Sequence, residues 1–173
     1  MTGRATTERA RASYRPHDIR VLLIGESPPA GGTFFYFGDS VLYDATRDAF
    51  FKAWPSLRRR DEDFRSTFRA LGCFVEDLSL IPVNKLLDDE KEGLLCAGIP
   101  KLVRRIAPLQ PQAVVIIKSS IVPKVTHAVK RAGLGDVDRS ELPFPSAYHR
   151  ERYVDGLAGL VKRWRRRGDL LAL

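Results

Sequence analysis

The stretch Arg20-Val-Leu-Leu-Ile-Gly-Glu-Ser-Pro-Pro-Ala-Gly-Gly-Thr-Phe-Phe-Tyr-Phe37 decides the fold, because it joins a strand pattern directly to a loop that can carry chemistry. Its apolar run from Val21 to Ile24 is typical of a strand that is buried on both faces of a parallel sheet. Gly25 ends this run, and the acid Glu26 follows at the carboxyl end of the strand. Open α/β sheets bind their ligands at that edge, so the stretch predicts both a central strand and a site.

The loop that follows Glu26 is stiff and is rich in aromatic residues. Pro28 and Pro29 fix the backbone φ angle and remove two amide donors, while residues 31–32 are glycines that let the chain pass close to a ligand. Aromatic side chains occupy residues 34–37. One acid beside a stacking surface suits a flat, partly charged ligand such as a nucleobase. The alternative is an ordinary connection with a solvated acid and core aromatics.

Outward from this stretch, strand and helix patterns alternate along the chain. Apolar runs predict further strands over residues 73–81 and 113–117, and a fourth strand ends in the extended segment 142–146. Alternation of this kind predicts a single-domain three-layer α/β/α fold with a mainly parallel four-stranded central sheet over residues 18–173. Residues 1–17 are polar with few large apolar side chains, which predicts a disordered or loosely attached basic arm.

Length and composition set further bounds on the protein class. A chain of 173 residues with 44% hydrophobic content supports one well-buried core. It contains no apolar run that approaches the ~20 residues needed to span a bilayer, so we expect a cytoplasmic protein with no membrane partner. Two cysteines in unrelated contexts predict no disulfide framework, and we expect no metal and no other cofactor.

The charge balance favours a polyanionic partner. The chain has 29 basic and 21 acidic residues and a formal net charge of +8, with arginine clusters at residues 58–60 and 165–167. Basic side chains that neutralise phosphates release counterions, so we expect DNA binding that weakens steeply with salt and depends little on sequence. We also expect a monomer.

Three features, taken in order, resemble the uracil-DNA glycosylase superfamily. The first is the run Gly25-Glu-Ser-Pro28 with the glycine–aromatic segment 32–36, which resembles the Gly-Glu-x-Pro branch of that superfamily. The second is a helix-and-strand pattern over residues 92–117. The third is Phe144-Pro-Ser-Ala147 before an amphipathic helix, which resembles the His-Pro-Ser-Ala motif. The likeness covers most of residues 19–165, and it depends on the order and spacing of short motifs.

This resemblance implies a DNA-repair-type glycosylase that cleaves the N-glycosidic bond of a flipped, damaged or deaminated base. It assigns the attacking water to Glu26 and base stacking to Phe35 or Tyr36. The Asn that reads the base in the superfamily aligns with Asp77, or with Ser79 if the register slips.

His149 lies just beyond Phe144, which occupies the place of the motif His, so His149 is the second catalytic candidate. The predicted DNA- and phosphate-binding residues lie in the motif loops, at strand ends and at helix starts, where phosphates are readily held. They are Pro28, Pro29, Lys118, Ser119, Pro145, Ser146 and Arg150.

The chain also departs from the family pattern. Members of the Gly-Glu branch usually carry four cysteines for an iron–sulfur cluster, whereas only Cys96 lies in such a place, so we expect no cluster. Pro29 replaces a glycine, and Phe144 replaces the His. One alternative is a catalytically degenerate nucleic-acid-binding protein on the same fold. Another is a generic doubly wound enzyme acting on a nucleotide or sugar, but the chain lacks the glycine-rich phosphate loops of such enzymes.

The aspartate at residue 77 leads to a hypothesis about which base the protein prefers. An Asn side chain offers a donor and an acceptor to uracil, whereas an ionised Asp only accepts. If Asp77 faces the base, either burial keeps it neutral or the preferred base presents donors where uracil presents O4. We therefore expect weak activity on uracil, improved by Asp77→Asn. The alternative is a strand-end acid paired with an arginine.

Overall fold

A computed structural model describes residues 3–60 and 63–173, and it contains one parallel sheet in the order β2-β1-β3-β4. Apolar side chains on both faces, many of them β-branched, make β1 and β3 the buried centre of this sheet. The predicted α/β class and four-stranded sheet are confirmed, and every strand pairing is parallel. The strands are β1 (Val21–Gly25), β2 (Cys73–Asp77), β3 (Ala113–Ile117) and β4 (Asp138–Leu142).

The described chain contains six α-helices, and four of them pack in pairs. Helix α2 packs against α6, and α4 packs against α5. Connections between parallel strands are right-handed as a rule, so this strand order puts α2 and α4 on opposite faces, and the two helix pairs then form the outer layers of the expected three-layer fold. The helices are α1 (Arg4–Ser13), α2 (Val41–Ala53), α3 (Phe64–Ala70), α4 (Asp88–Ile106), α5 (Val122–Arg131) and α6 (Arg150–Arg167).

The N-terminal segment corrects one prediction. Residues 1–17 were expected to form a disordered or loosely attached arm, but residues 4–13 form α1, and its Arg11 is buried. Farther along, the Tyr14 ring stacks on the Tyr36 ring at a centroid distance of 5.9 Å. The segment is ordered because Arg11 neutralises acids at the end of β2, which local polarity in the sequence does not reveal. Residues 1–2 lie outside the described part.

Helix α4 runs without a break through Pro100. Its Gly98 lies directly on the backbone that leaves β2, so that a Cβ atom at residue 98 would come within 2.5 Å of the Leu78 carbonyl oxygen. Gly93 lies five residues earlier in the same helix and faces open space. Of the two glycines in α4, Gly98 is therefore the one at which the helix lies against the backbone that leaves β2.

We expect Gly98→Ala to lower the free energy of unfolding by roughly 1–3 kcal/mol, because the helix must move away from a backbone carbonyl that cannot yield. The matched variant Gly93→Ala should instead be neutral or stabilising by up to about 1 kcal/mol, because alanine favours helix and meets no neighbour there. Urea unfolding of the two variants measures the difference. Equal stabilities would contradict the close approach of α4.

Candidate functional site

The carboxyl ends of β1, β2 and β3 open into a cleft made of two adjoining cavities of about 240 Å³ and 220 Å³. The two cavities have five lining residues in common: Ser27, Pro29, Leu42, Asp77 and Phe144. This edge is where open α/β sheets bind ligands, and it is the edge that the first strand predicted. The cleft is therefore the candidate site.

Glu26 leaves β1 at the floor of this cleft, with its side chain only 11% exposed. Its Oε2 lies 2.6 Å from the Lys118 ammonium, and its Oε1 lies 3.1 Å from the Lys91 ammonium. Partial desolvation lowers the pKa of Lys91, but the hydrogen bond and charge of Glu26 outweigh it and the pKa is raised. Lys91 is therefore a cation here, and the three groups together carry one net positive charge.

Lys118 reaches Glu26 from an unusual backbone conformation. It follows β3 with a φ of 94° and a ψ of 118°, a backbone region that residues other than glycine rarely adopt. Its amide donates to the Leu142 carbonyl at 2.8 Å, which extends the β3–β4 pairing by one step. Strained residues of this kind concentrate at functional sites, so the conformation supports a role for the lysine in the cleft. Ser119 follows in a short 3₁₀ turn and is exposed.

Asp77 ends β2 and lines both cavities, although its side chain is almost completely buried. Its Oδ2 accepts a hydrogen bond from Arg11 Nη2 at 2.6 Å. Burial raises the pKa of Asp77 to about 6, while the charges of Arg11 and Arg105 oppose the rise and the adjacent Glu76 adds to it. Glu76 also contacts Arg11, and its Oε2 lies 3.3 Å from Arg105 Nε. Asp77 is thus paired with an arginine and faces the cleft as well.

Both aromatic candidates are buried in the core, but only Phe35 also lines a cavity. Phe35 lines the larger cavity. Tyr36 is buried, and its hydroxyl both donates to the Val75 carbonyl at 3.0 Å and accepts from the Val75 amide at 2.7 Å. The prediction that Tyr36 stacks on a base is therefore not supported, because the side chain is fixed in the core. Phe144 is 41% exposed and lines both cavities, so it offers the stacking surface that the sequence did not reveal.

Ser79 does not face the cleft, so its prediction as a base-binding residue needs correction. Its hydroxyl donates to the Ile81 carbonyl at 2.9 Å and accepts from the Ile81 amide at 3.1 Å. The side chain is buried and closes the turn after β2. Serine is frequent in such turns because its hydroxyl can pair with the backbone two residues on.

The second catalytic candidate, His149, also lies outside the residues that line the cleft. It is exposed immediately before α6 and makes no capping hydrogen bond with its side chain. The neighbouring Arg150 donates to Asp48 at 2.6 Å, so its guanidinium serves an α2–α6 ion pair. Pro145 is buried and Ser146 half-buried, and neither lines the cavities. The structure thus brings together Glu26, Pro28, Pro29, Phe35, Asp77 and Lys118 from the predicted set.

Sequence reasoning missed several residues that build the cleft. Asn84 accepts a hydrogen bond from the Ala30 amide at 2.9 Å and so fixes the proline loop. Lys91 reaches Glu26 from the first turns of α4, and Arg11 reaches Asp77 from α1. A lysine near the start of an otherwise acidic helix was a weak signal for Lys91. Arg11 carried no signal, because its partners are 65 and 66 residues away.

The arginine clusters lie at the opposite edge of the sheet from the cleft. Arg167 pairs at 2.8 Å with Asp138, the first residue of β4. The Arg165 guanidinium lies 3.9 Å from the ring centroid of Trp54, where α2 ends, whereas the start of α2 lines the cleft. Residues 58–59 follow Trp54 in a 3₁₀ turn. The cations beside Glu26 are Lys91 and Lys118, which do not belong to the arginine clusters.

No helix within residues 3–60 and 63–173 is long and apolar enough to cross a membrane. Neither the protein-family models nor the curated proteins give a match to this chain.

Proposed function

We propose that the protein is a DNA-repair-type N-glycosylase that accepts a flipped, damaged or deaminated base in the cleft. The observation that carries this proposal is Glu26, a fixed carboxylate at the end of the central strand, between two cations and below a wall of proline and phenylalanine side chains. The resemblance of residues 25–28 to the Gly-Glu-x-Pro branch of the uracil-DNA glycosylase superfamily supports the same activity.

The chemistry of base release suits this arrangement. Breaking an N-glycosidic bond builds positive charge on the sugar and negative charge on the departing base. A fixed carboxylate such as Glu26 stabilises the first charge and orients water, while Lys91 and Lys118 attract the flanking phosphates. Duplex stacking hides the reacting carbon, so the base must be extruded, and Phe35 or Phe144 would then stack on it, a contact worth roughly 1–3 kcal/mol per base.

A second candidate function is nucleic-acid binding without catalysis. The observation that favours it is the pairing of both Glu26 oxygens with lysines, because a cluster with net positive charge suits a phosphate better than a sugar cation. Phe144 in place of the motif His points the same way, since a phenyl ring can neither donate nor accept a proton.

The deciding experiment incubates the protein with DNA oligomers that carry uracil, hypoxanthine, xanthine or a thymine mismatch, followed by alkali treatment. We expect alkali-labile sites at one or more of these bases and none in undamaged DNA. Salt-dependent binding to all oligomers without cleavage would establish the second function instead. Absence of both binding and base release would leave neither function standing.

A further inference from the structure

Lys118 is the only lysine among the described residues that lines either cavity of the cleft. It meets Glu26 because β1 and β3 are parallel and both residues lie two positions beyond the matched pair Ile24–Ile116. Lys91 binds the other oxygen of Glu26 from α4, but it lines neither cavity. A molecule in the cleft therefore meets the Lys118 amine on the cavity wall.

An ion pair alone is a weak reason for a lysine at residue 118. The Lys118 side chain is 34% exposed, and ion pairs that stay open to water contribute little to stability. The backbone there is costly, because its φ of 94° favours glycine. A glycine would relieve the strain and lose only a weak pair. The lysine is therefore better explained by the chemistry of an amine on the cavity wall.

The two cavities offer different groups to a nucleotide. The larger cavity has Phe35 on its wall and Asp77 as its single charged lining residue, whereas the smaller cavity holds Glu26 and Lys118. If the base occupies the larger cavity, its sugar lies in the smaller one, with C1′ beside Glu26. The Lys118 amine, 2.6 Å from that carboxylate, is then within reach of C1′. Loss of the base turns C1′ into an aldehyde when the sugar ring opens, and an aldehyde is attacked by amines.

We propose that the protein is also a lyase that cuts the DNA strand at the abasic site, with Lys118 as the nucleophile that forms a Schiff base with C1′. This inference deepens the proposed function, because its substrate is the product of base release. A primary amine in contact with a carboxylate can form such a bond, since the carboxylate takes the ammonium proton.

Glu26 can move the protons that the reaction requires. Its Oε2 accepts a proton from the Lys118 ammonium, and the free amine attacks the C1′ aldehyde to form a C–N bond. The carbonyl oxygen takes one proton from the nitrogen and the proton held by Glu26, and it leaves as water, so that a protonated imine remains. Glu26, ionised again, removes a proton from C2′, and the electron pair of that bond expels the 3′ phosphate by breaking the C3′–O bond. The phosphate takes the C2′ proton from Glu26, and water hydrolyses the imine and restores Lys118.

Lys91 suits a supporting role in this sequence of steps. Although partial desolvation opposes it, the hydrogen bond and charge of Glu26 raise the pKa of Lys91, so this lysine keeps its proton. It holds the second oxygen of Glu26 at 3.1 Å and thereby fixes the carboxylate. Its positive charge stabilises the phosphate that departs.

The test uses a single-stranded oligomer with one abasic site, made in advance from uracil by an unrelated glycosylase, so that base release by this protein is bypassed. Sodium borohydride reduces a Schiff base to a stable amine that joins protein to DNA, and tryptic peptides of the product identify the lysine. Strand breaks formed without borohydride or alkali measure the elimination. The same oligomer with its aldehyde reduced beforehand is the substrate control, because it cannot form an imine.

Two variants remove the nucleophile in different ways. Lys118→Arg keeps the positive charge beside Glu26, and Lys118→Gly suits the φ of 94°, so the fold should survive. The matched control is Lys124→Arg, since Lys124 forms a similar ion pair with Glu92 at 2.7 Å but lines neither cavity. We expect both Lys118 variants to lower trapping and strand breakage by roughly 100-fold or more, the scale for loss of a group that takes part in the reaction. The control should match the native protein.

An adduct on Lys118 that both variants lose, together with strand breaks, upholds the inference. Equal trapping by Lys118→Arg, or an adduct on another lysine, would overturn it by showing that any surface amine reacts. No adduct with the native protein, or an adduct without strand breaks, would also overturn it even where base release is strong, which separates it from the proposed function. Trapping and breakage without any base release from base-bearing oligomers would uphold the lyase and reject the glycosylase.

Discussion

Replacement of Glu26 by glutamine is expected to lower base release by roughly 100-fold or more, the scale for loss of an acid–base group. The glutamine has nearly the same shape but no charge, so it cannot stabilise a sugar cation. Lys91 and Lys118 lose their common partner, yet both are partly exposed and can be solvated, so the fold should survive. Single-turnover kinetics on the best oligomer substrate measure the effect, with circular dichroism as the check on folding.

A matched control is Glu141→Gln, because Glu141 is exposed on β4 and does not line the cleft. Its base release should equal that of the native protein. If Glu26→Gln retained native turnover, the chemistry would lie elsewhere in the cleft. If it bound DNA more tightly and the native protein released no base, the two lysines would be the functional groups and the second candidate function would hold.

Replacement of Arg11 by methionine is expected to lower the free energy of unfolding by roughly 3 kcal/mol or more, because removal of one partner leaves an uncompensated buried charge. Glu76 and Asp77 would then share Arg105 alone. Arg9→Met is the control, since Arg9 lies in the same helix but is exposed. Urea unfolding of both variants gives the comparison.

The cost of Arg11→Met should also depend on pH in a definite direction. The pKa of Asp77 is already raised to about 6 in the folded protein, and loss of Arg11 raises it further. Below pH 6 the carboxyl is protonated and the penalty shrinks, so the variant should approach native stability as the pH falls from 8 to 5. A cost as small as that of Arg9→Met, or one that grows on acidification, would show that Arg11 does not neutralise the acids.

The strands and their succession along the chain could be read from the sequence because burial on both faces leaves a local record. The apolar runs of β1 and β3 predicted central strands, and the structure confirms both, β3 with the predicted bounds and β1 with Gly25 added at its end. Glu26 was placed correctly at the carboxyl edge for the same reason, since a polar residue directly after a buried run must lie where the strand ends. These features depend only on neighbours along the chain.

The partners of the acids were decided by the tertiary structure alone. Arg11 is one of several arginines in a polar segment, and nothing in its neighbours distinguishes it from Arg9. It becomes buried only because a helix from the start of the chain reaches two carboxylates 65 and 66 residues away. Lys118 meets Glu26 across 92 residues in the same manner. Periodicity records which face of an element is buried, whereas ion pairing depends on distances that exist only after the sheet has assembled.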